Sequence, residues 1–102
     1  MRQFSNAQFR YDPEKNSKLL TERQIGFDEI AAAMLEGKVL AVTDHFNKER
    51  YPNQQIAYVF ILDIVYKVPF IEEGENSIFL KTAYPSSKAR DEFFPNKKKN
   101  KS

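Results

Sequence analysis

The chain has 102 residues, 41% hydrophobic and 14% aromatic, enough for one modest core and too few for two. It has no cysteine, which excludes disulfides and thiolate metal sites and favours a cytosolic compartment over a secreted one. The net charge is +2, but four lysines sit in the terminal run "KKKNKS"; without them twelve cations face fourteen acids, so residues 1–96 carry −2 and any basic surface must arise from local arrangement.

The opening "MRQFSNAQFRYDPEK" has no apolar run of signal-peptide length. A helix start follows at "YDPEKNSKLLTER". Asp12 suits the N-cap, Pro13 the first helical position, and Glu14 the positive end of the helix dipole. Gly26 is expected to interrupt. A second helix is predicted over 27–36, with Phe27, Ile30, Ala31, Met34 and Leu35 on one apolar face and Gly37 as its stop.

After Gly37 the period changes. "KVLAVTDH" reads as a strand, and the run Asn47 to Gln55 as a turn-rich break around Pro52-Asn53. "IAYVFIL" and "IVYKVPFIEE" read as two more strands. Their link at Leu62-Asp63 is short and lacks glycine, and Pro69 argues for an edge position or a bulge. Asp63, Lys67 and Pro69 also break the longest apolar stretch, so it cannot span a bilayer as a helix. "EEGEN", residues 72–76, is a hairpin turn leading into a fourth strand, "SIFLKTAY". A last helix, "SSKARDEFF", is capped by Ser86 or Ser87 and ended by Pro95.

The order predicts an α+β domain over 1–95: two N-terminal helices, a four-stranded antiparallel meander and a short C-terminal helix, with the helices on one sheet face. The lysine-rich residues 96–102 read as a disordered, solvated tail, or as a tail that adds non-specific RNA affinity.

Several chemistries are set aside. There is no GxxxxGK[ST] loop, no GxSxG context and no carboxylate spacing for a two-metal site. One histidine without cysteine makes a zinc site unexpected, and no cofactor is implied. Two clusters remain. "DHFNKERY" holds the single histidine, His45, a residue type that titrates near neutral pH, with Glu49 as its partner or as the base. Lys48 and Arg50 there could grip phosphate. The same composition also describes a solvated hairpin loop. In "KTAYPSSKARDE", Tyr84 could stack on a base while Lys88 and Arg90 open a helix whose first-turn N–H groups suit an anion. On its own that stretch reads first as an ordinary C-terminal helix with a charged face.

These clusters line up with a longer pattern: Phe9-Arg10-Tyr11-Asp12-Pro13-Glu14-Lys15, Ile25-Gly26-Phe27-Asp28-Glu29, Asp44-His45 followed by Glu49-Arg50-Tyr51, and Ser86-Ser87-Lys88-Ala89. In this order the chain resembles the BrnT-type toxins of bacterial type II toxin–antitoxin pairs, small ribonucleases with a RelE-like fold, over roughly residues 9–94. The resemblance implies metal-independent RNA cleavage by attack of the ribose 2′-hydroxyl, which blocks translation in the cytoplasm. It also implies a neutralising antitoxin, usually a DNA-binding dimer. By matching position, His45 and Glu49 are the acid/base residues and Arg50 and Lys88 stabilise phosphate, with Lys15 as a lesser phosphate contact; Lys48, Tyr84 and Arg90 are RNA contacts on the reading of the two clusters alone. The chain departs from the pattern at Leu19, where the family has Asn, in the placing of Gly26, and above all at Ser87. Arginine is expected at that position, so the resemblance implies weakened or absent cleavage unless Arg90 supplies the charge. A non-catalytic RNA- or protein-binding module of the same fold is the alternative.

Overall fold

A computed structural model describes residues 4–95; the lysine-rich tail lies outside the described residues. In chain order the elements are β1 (Gln8–Tyr11), α1 (Pro13–Arg23), α2 (Phe27–Leu35), β2 (Val39–Asp44), β3 (Gln54–Ile61), β4 (Ile64–Gly74), β5 (Ser77–Leu80), β6 (Tyr84–Pro85) and α3 (Ser87–Phe93).

α1 starts where its cap residues dictate. The Asp12 carboxylate accepts the Glu14 N–H at 2.9 Å, and Pro13 needs no donor of its own. Its stop falls on Gln24, which takes left-handed backbone (φ 60°) and donates its N–H to Leu20 O at 3.0 Å. Gly26 is instead the N-cap of α2, in extended backbone, and the Glu29 carboxylate accepts its N–H. The corner is tight: a Cβ at Gly26 would meet Asn16 Oδ1 and Leu20 Cδ2, each at 3.1 Å. Asn16 Oδ1 also accepts the Phe27 N–H at 2.8 Å, which fixes the second helix against the first. α2 ends as expected at Gly37 (φ 84°). The Lys38 N–H reaches back to Ala33 O and the Gly37 N–H to Met34 O, the paired bonds of a Schellman stop.

The sheet is mixed and larger than the expected four-stranded meander. Its order is β1-β5-β4-β3-β2, with β6 pairing β4 further along. β1 runs parallel to β5, Gln8 opposite Ser77 and Tyr11 opposite Leu80. The expected fourth strand is two pieces, and Pro69 accounts for the gap. Pro69 lies in central β4, opposite Ile56, and not at an edge. Its carbonyl accepts the Lys81 N–H on the β5–β6 side, where its own N–H would have pointed. Without that donor the ladder lapses over residues 81–83 and resumes at Tyr84 opposite Lys67.

The helices do not share one face, contrary to the sequence expectation. α1 and α2 place Leu19, Phe27, Ile30 and Met34 in one core with Ala57, Val59, Val68, Phe70, Ile78 and Leu80. Phe27, Ile30 and Met34 are buried to 1% exposure or less, and each side chain contributes roughly 1.5–3 kcal/mol. Neighbouring strand residues point the other way. On that opposite face Phe93 packs on Tyr58 (ring centroids 5.6 Å apart) and Phe94 on Phe60 (4.8 Å), so α3 forms a third layer. Phe94 has left helical backbone (φ −132°, ψ 60°), as suits a residue ahead of proline.

β3 and β4 meet in a two-residue turn at Leu62-Asp63. Both residues have positive φ, 49° and 70°, the geometry that suits the twist of a hairpin. Asp63 tolerates it; Leu62, 90% exposed, does so at a cost of roughly 1–2 kcal/mol. Arg90 of α3 braces the turn, donating Nε–H to Asp63 O at 2.7 Å and pairing Nη2 with Asp63 Oδ1 at 2.6 Å. The "EEGEN" turn lies where expected, with Gly74 (φ 145°) and Asn76 (φ 62°) taking the unusual backbone.

Candidate functional site

The stretch 44–51 closes the other end of the β2–β3 pair. The Asp44–Gln55 pairing ends the ladder, and His45 N–H still donates to Gln54 O at 3.1 Å. From there the loop holds itself. Asn47 is its pivot: its Oδ1 accepts the Arg50 N–H at 3.3 Å and its carbonyl accepts the Tyr51 N–H at 2.9 Å. Its own N–H donates to His45 Nδ1 at 3.0 Å. The half-buried His45 ring stacks on Phe46 (4.5 Å between centroids) and leans on Tyr51 (4.6 Å). Phe46 is 81% exposed. The Arg50 guanidinium stands 5.5 Å from the Tyr51 ring centroid.

The bond from Asn47 has a chemical consequence. A backbone N–H only donates, so His45 Nδ1 is unprotonated and the neutral ring carries its hydrogen on Nε2. In this arrangement His45 presents a hydrogen-bond donor. Serving as a proton donor would require protonating Nδ1 and giving up the Asn47 bond. Lys48 is paired with Asp44 at 3.0 Å, whereas exposed Glu49 makes no ion pair or side-chain hydrogen bond among the described residues. The loop can therefore stack flat rings on Phe46, His45 and Tyr51, and offer phosphate the Nε2–H and the Arg50 fork.

The other sequence-predicted residues fall in two further places. Ser87 and Lys88 are exposed on α3, whose start is tied by Ser86 N–H to Val65 O (2.9 Å), near the Leu62-Asp63 turn. The eight-residue β3, roughly 25 Å at the usual rise, separates that turn from the His45 loop. The α3 first turn is already capped, its Ala89 N–H donating to Ser86 Oγ at 3.1 Å. Arg90 is engaged with Asp63, so supplying the charge expected at Ser87 would unbrace the turn. Lys15 and Tyr84 border a third place, a cleft between α1 and the β5–β6 link. The structure thus brings His45, Lys48, Glu49 and Arg50 together and leaves Ser87, Lys88 and Arg90 apart from them.

Sequence reasoning missed Phe46 and Tyr51 as walls of the His45 ring, although both lie inside the quoted stretch. Elsewhere the Tyr11 hydroxyl donates to Asp28 Oδ1 at 2.6 Å; that bond, reinforced by burial and by the Asp28 charge, raises its pKa above the usual tyrosine value. Tyr66 is also raised, chiefly by burial and then by Glu29, with Arg23 opposing. Among the described residues no three His, Cys, Asp or Glu side chains converge as metal ligands, and no helix is long and apolar enough to cross a membrane. Comparison with models of known families, with characterised proteins and with solved structures returns no match.

Proposed function

We propose that this chain acts on single-stranded RNA as the ribonuclease toxin of a bacterial toxin–antitoxin pair, in the cytoplasm, with a DNA-binding antitoxin as its neutralising partner. The observation that carries the proposal is the 44–51 loop, which holds an aromatic ledge, an Nε2–H donor, an unpaired carboxylate and an exposed guanidinium within eight residues. Aromatic faces with adjacent cations suit unstacked RNA bases and their phosphates. In the step proposed, Glu49 takes the proton of the ribose 2′-hydroxyl as that oxygen attacks the adjacent phosphorus. The P–O5′ bond breaks, leaving a 2′,3′-cyclic phosphate and an O5′ that takes a proton from water. Arg50 and His45 Nε2–H stabilise the charged phosphorane.

A second reading, RNA binding without cleavage, draws on two observations. His45 Nδ1 is occupied by the Asn47 N–H, and Ser87 and Lys88 stand at the far end of β3. One experiment separates the two readings. A labelled single-stranded RNA is incubated with the full chain and with Glu49→Gln and Arg50→Ala. Cyclic-phosphate products that vanish in both variants support the toxin reading. Binding without products in the unaltered chain supports the second reading and removes the first. Neither binding nor products overturns both. Ser87→Arg is expected to leave loop-dependent cleavage unchanged, because position 87 does not face the loop.

A further inference from the structure

The cleft between α1 and the β5–β6 link is built differently from the 44–51 loop, and its residues take no part in the reaction proposed there. Its volume is about 380 Å3, within the roughly 300–1,000 Å3 of small-ligand sites. One wall is a single face of α1: Lys15, Lys18, Leu19, Glu22 and Arg23, at spacings of three and four that stack side chains along one side of a helix. The opposite wall is Thr82–Tyr84, where the ladder lapses and then resumes at Tyr84, and it contributes no carboxylate. Tyr84 lies opposite Lys67, which puts its side chain on the α3 face. The floor is therefore apolar, made by buried Leu19, Phe27 and Ala83.

The charges on the rim are unequal. Lys15, Lys18 and Arg23 face one carboxylate, Glu22. Among the described residues these three cations make no ion pair, side-chain hydrogen bond or ring contact. By contrast Arg10, Lys38, Lys48 and Arg90 are each paired with an acid. Three cations against one carboxylate leave the rim at +2 over an apolar floor, which matches a ligand that is anionic at one end and flat and apolar at the other.

We infer that this cleft binds a phosphorylated nucleoside, with the phosphate held by Lys18, Arg23 and Lys15 and the base laid over Leu19, Phe27 and Ala83. The shared chemistry, a phosphate beside a base, is offered both by a free nucleotide and by the 5′-end of an RNA strand. The inference does not depend on catalysis at the 44–51 loop.

Calorimetry on the full chain tests it with adenosine 5′-monophosphate, adenosine and a tetraglutamate peptide as probes. The monophosphate is expected to bind at least tenfold more tightly than adenosine. The double variant Lys18→Glu/Arg23→Glu, whose fold is checked by circular dichroism, is expected to lose at least tenfold in monophosphate affinity. Lys18→Arg is expected to retain it. Equal binding of monophosphate and adenosine, equal binding by tetraglutamate, or an unchanged affinity in the folded double variant each overturns the inference. A 5′-phosphorylated hexaribonucleotide that displaces the monophosphate, where its 5′-hydroxyl counterpart does not, supports it and identifies the RNA end as the source. Displacement by neither supports it with the free nucleotide as the source. Glu49→Gln is expected to abolish cleavage while leaving monophosphate affinity unchanged, so failure at the loop and failure at the cleft are read separately.

Discussion

At the start of β3, residues 45–53 form a long loop whose backbone is held by Asn47 and whose Phe46, Glu49 and Arg50 are exposed. At the end of β3, Leu62 and Asp63 form the shortest turn a hairpin allows, and Arg90 is drawn inward to hold it. Both joints contain an arginine that a sequence reading assigns to RNA. Among the described residues the Arg50 guanidinium makes no hydrogen bond or ion pair, whereas Arg90 commits its Nε and Nη2 donors to Asp63. Where the backbone supplies its own support, polar side chains stay available for a ligand. Where the turn is strained, a nearby cation becomes part of the frame.

Variants at the two joints can break this contrast. The largest effect is expected for His45→Ala, which removes the centre of the aromatic ledge. RNA affinity should fall about tenfold, in line with roughly 1–3 kcal/mol per stacked base, with little change in urea stability. A stability loss with unchanged affinity would make the loop a structural element and end the contrast. Arg90→Ala should show the reverse. The loss is expected at about 1–2 kcal/mol by urea unfolding, discounted for the solvent exposure of Asp63, with RNA affinity unchanged. Reduced RNA binding in a folded Arg90→Ala chain would place the turn in the binding surface.

Leu62→Asn sharpens the same point from the other side. Asparagine tolerates left-handed backbone, so stability should rise by about 0.5–1 kcal/mol, read as a higher urea midpoint. The smallest effect is expected at Tyr11→Phe, which removes the bond to Asp28 at neither joint and should cost about 0.5 kcal/mol at neutral pH. The Tyr11 pKa is raised in the folded state, so this contribution is complete below about pH 10, the unfolded tyrosine value. It is lost as pH rises through the higher folded value. The difference between the two chains should therefore close as pH rises through the alkaline range, and a gap that persists there would refute the assignment.

Local signals were readable without the structure, and long-range ones were not. Asp12-Pro13, Gly37, the "EEGEN" turn and the Ser86 cap all act within a few residues of themselves, and each lies where expected. β1 escaped notice because its partner, β5, is most of the chain away and its alternation spans only four residues. Pro69 suggests an edge position or a bulge, yet it sits in central β4 and the gap appears in the neighbouring strand, because a missing donor is felt by its partner. The side on which α3 packs depends on which way Tyr58 and Phe60 point in a register that no short window contains. For the candidate site, the cluster around His45 was legible as one contiguous stretch. Joining it to Ser87 and Lys88 was not supported, since spacing in sequence carries no information about which end of a strand a helix reaches.

The parallel pairing of β1 with β5 also governs how the sheet comes together in time. β2, β3, β4 and β5 are linked by hairpins and can zip in sequence, each strand finding a partner already beside it. β1 is made first by the ribosome and must wait until residues 77–80 have been made before its partner exists. A chain interrupted before that point would hold a sheet with an unpaired flank at β4, a template for a second unfinished copy. The closing contact of this fold is therefore also the strand pairing with the longest loop to close, and its slowest in loop-closure terms.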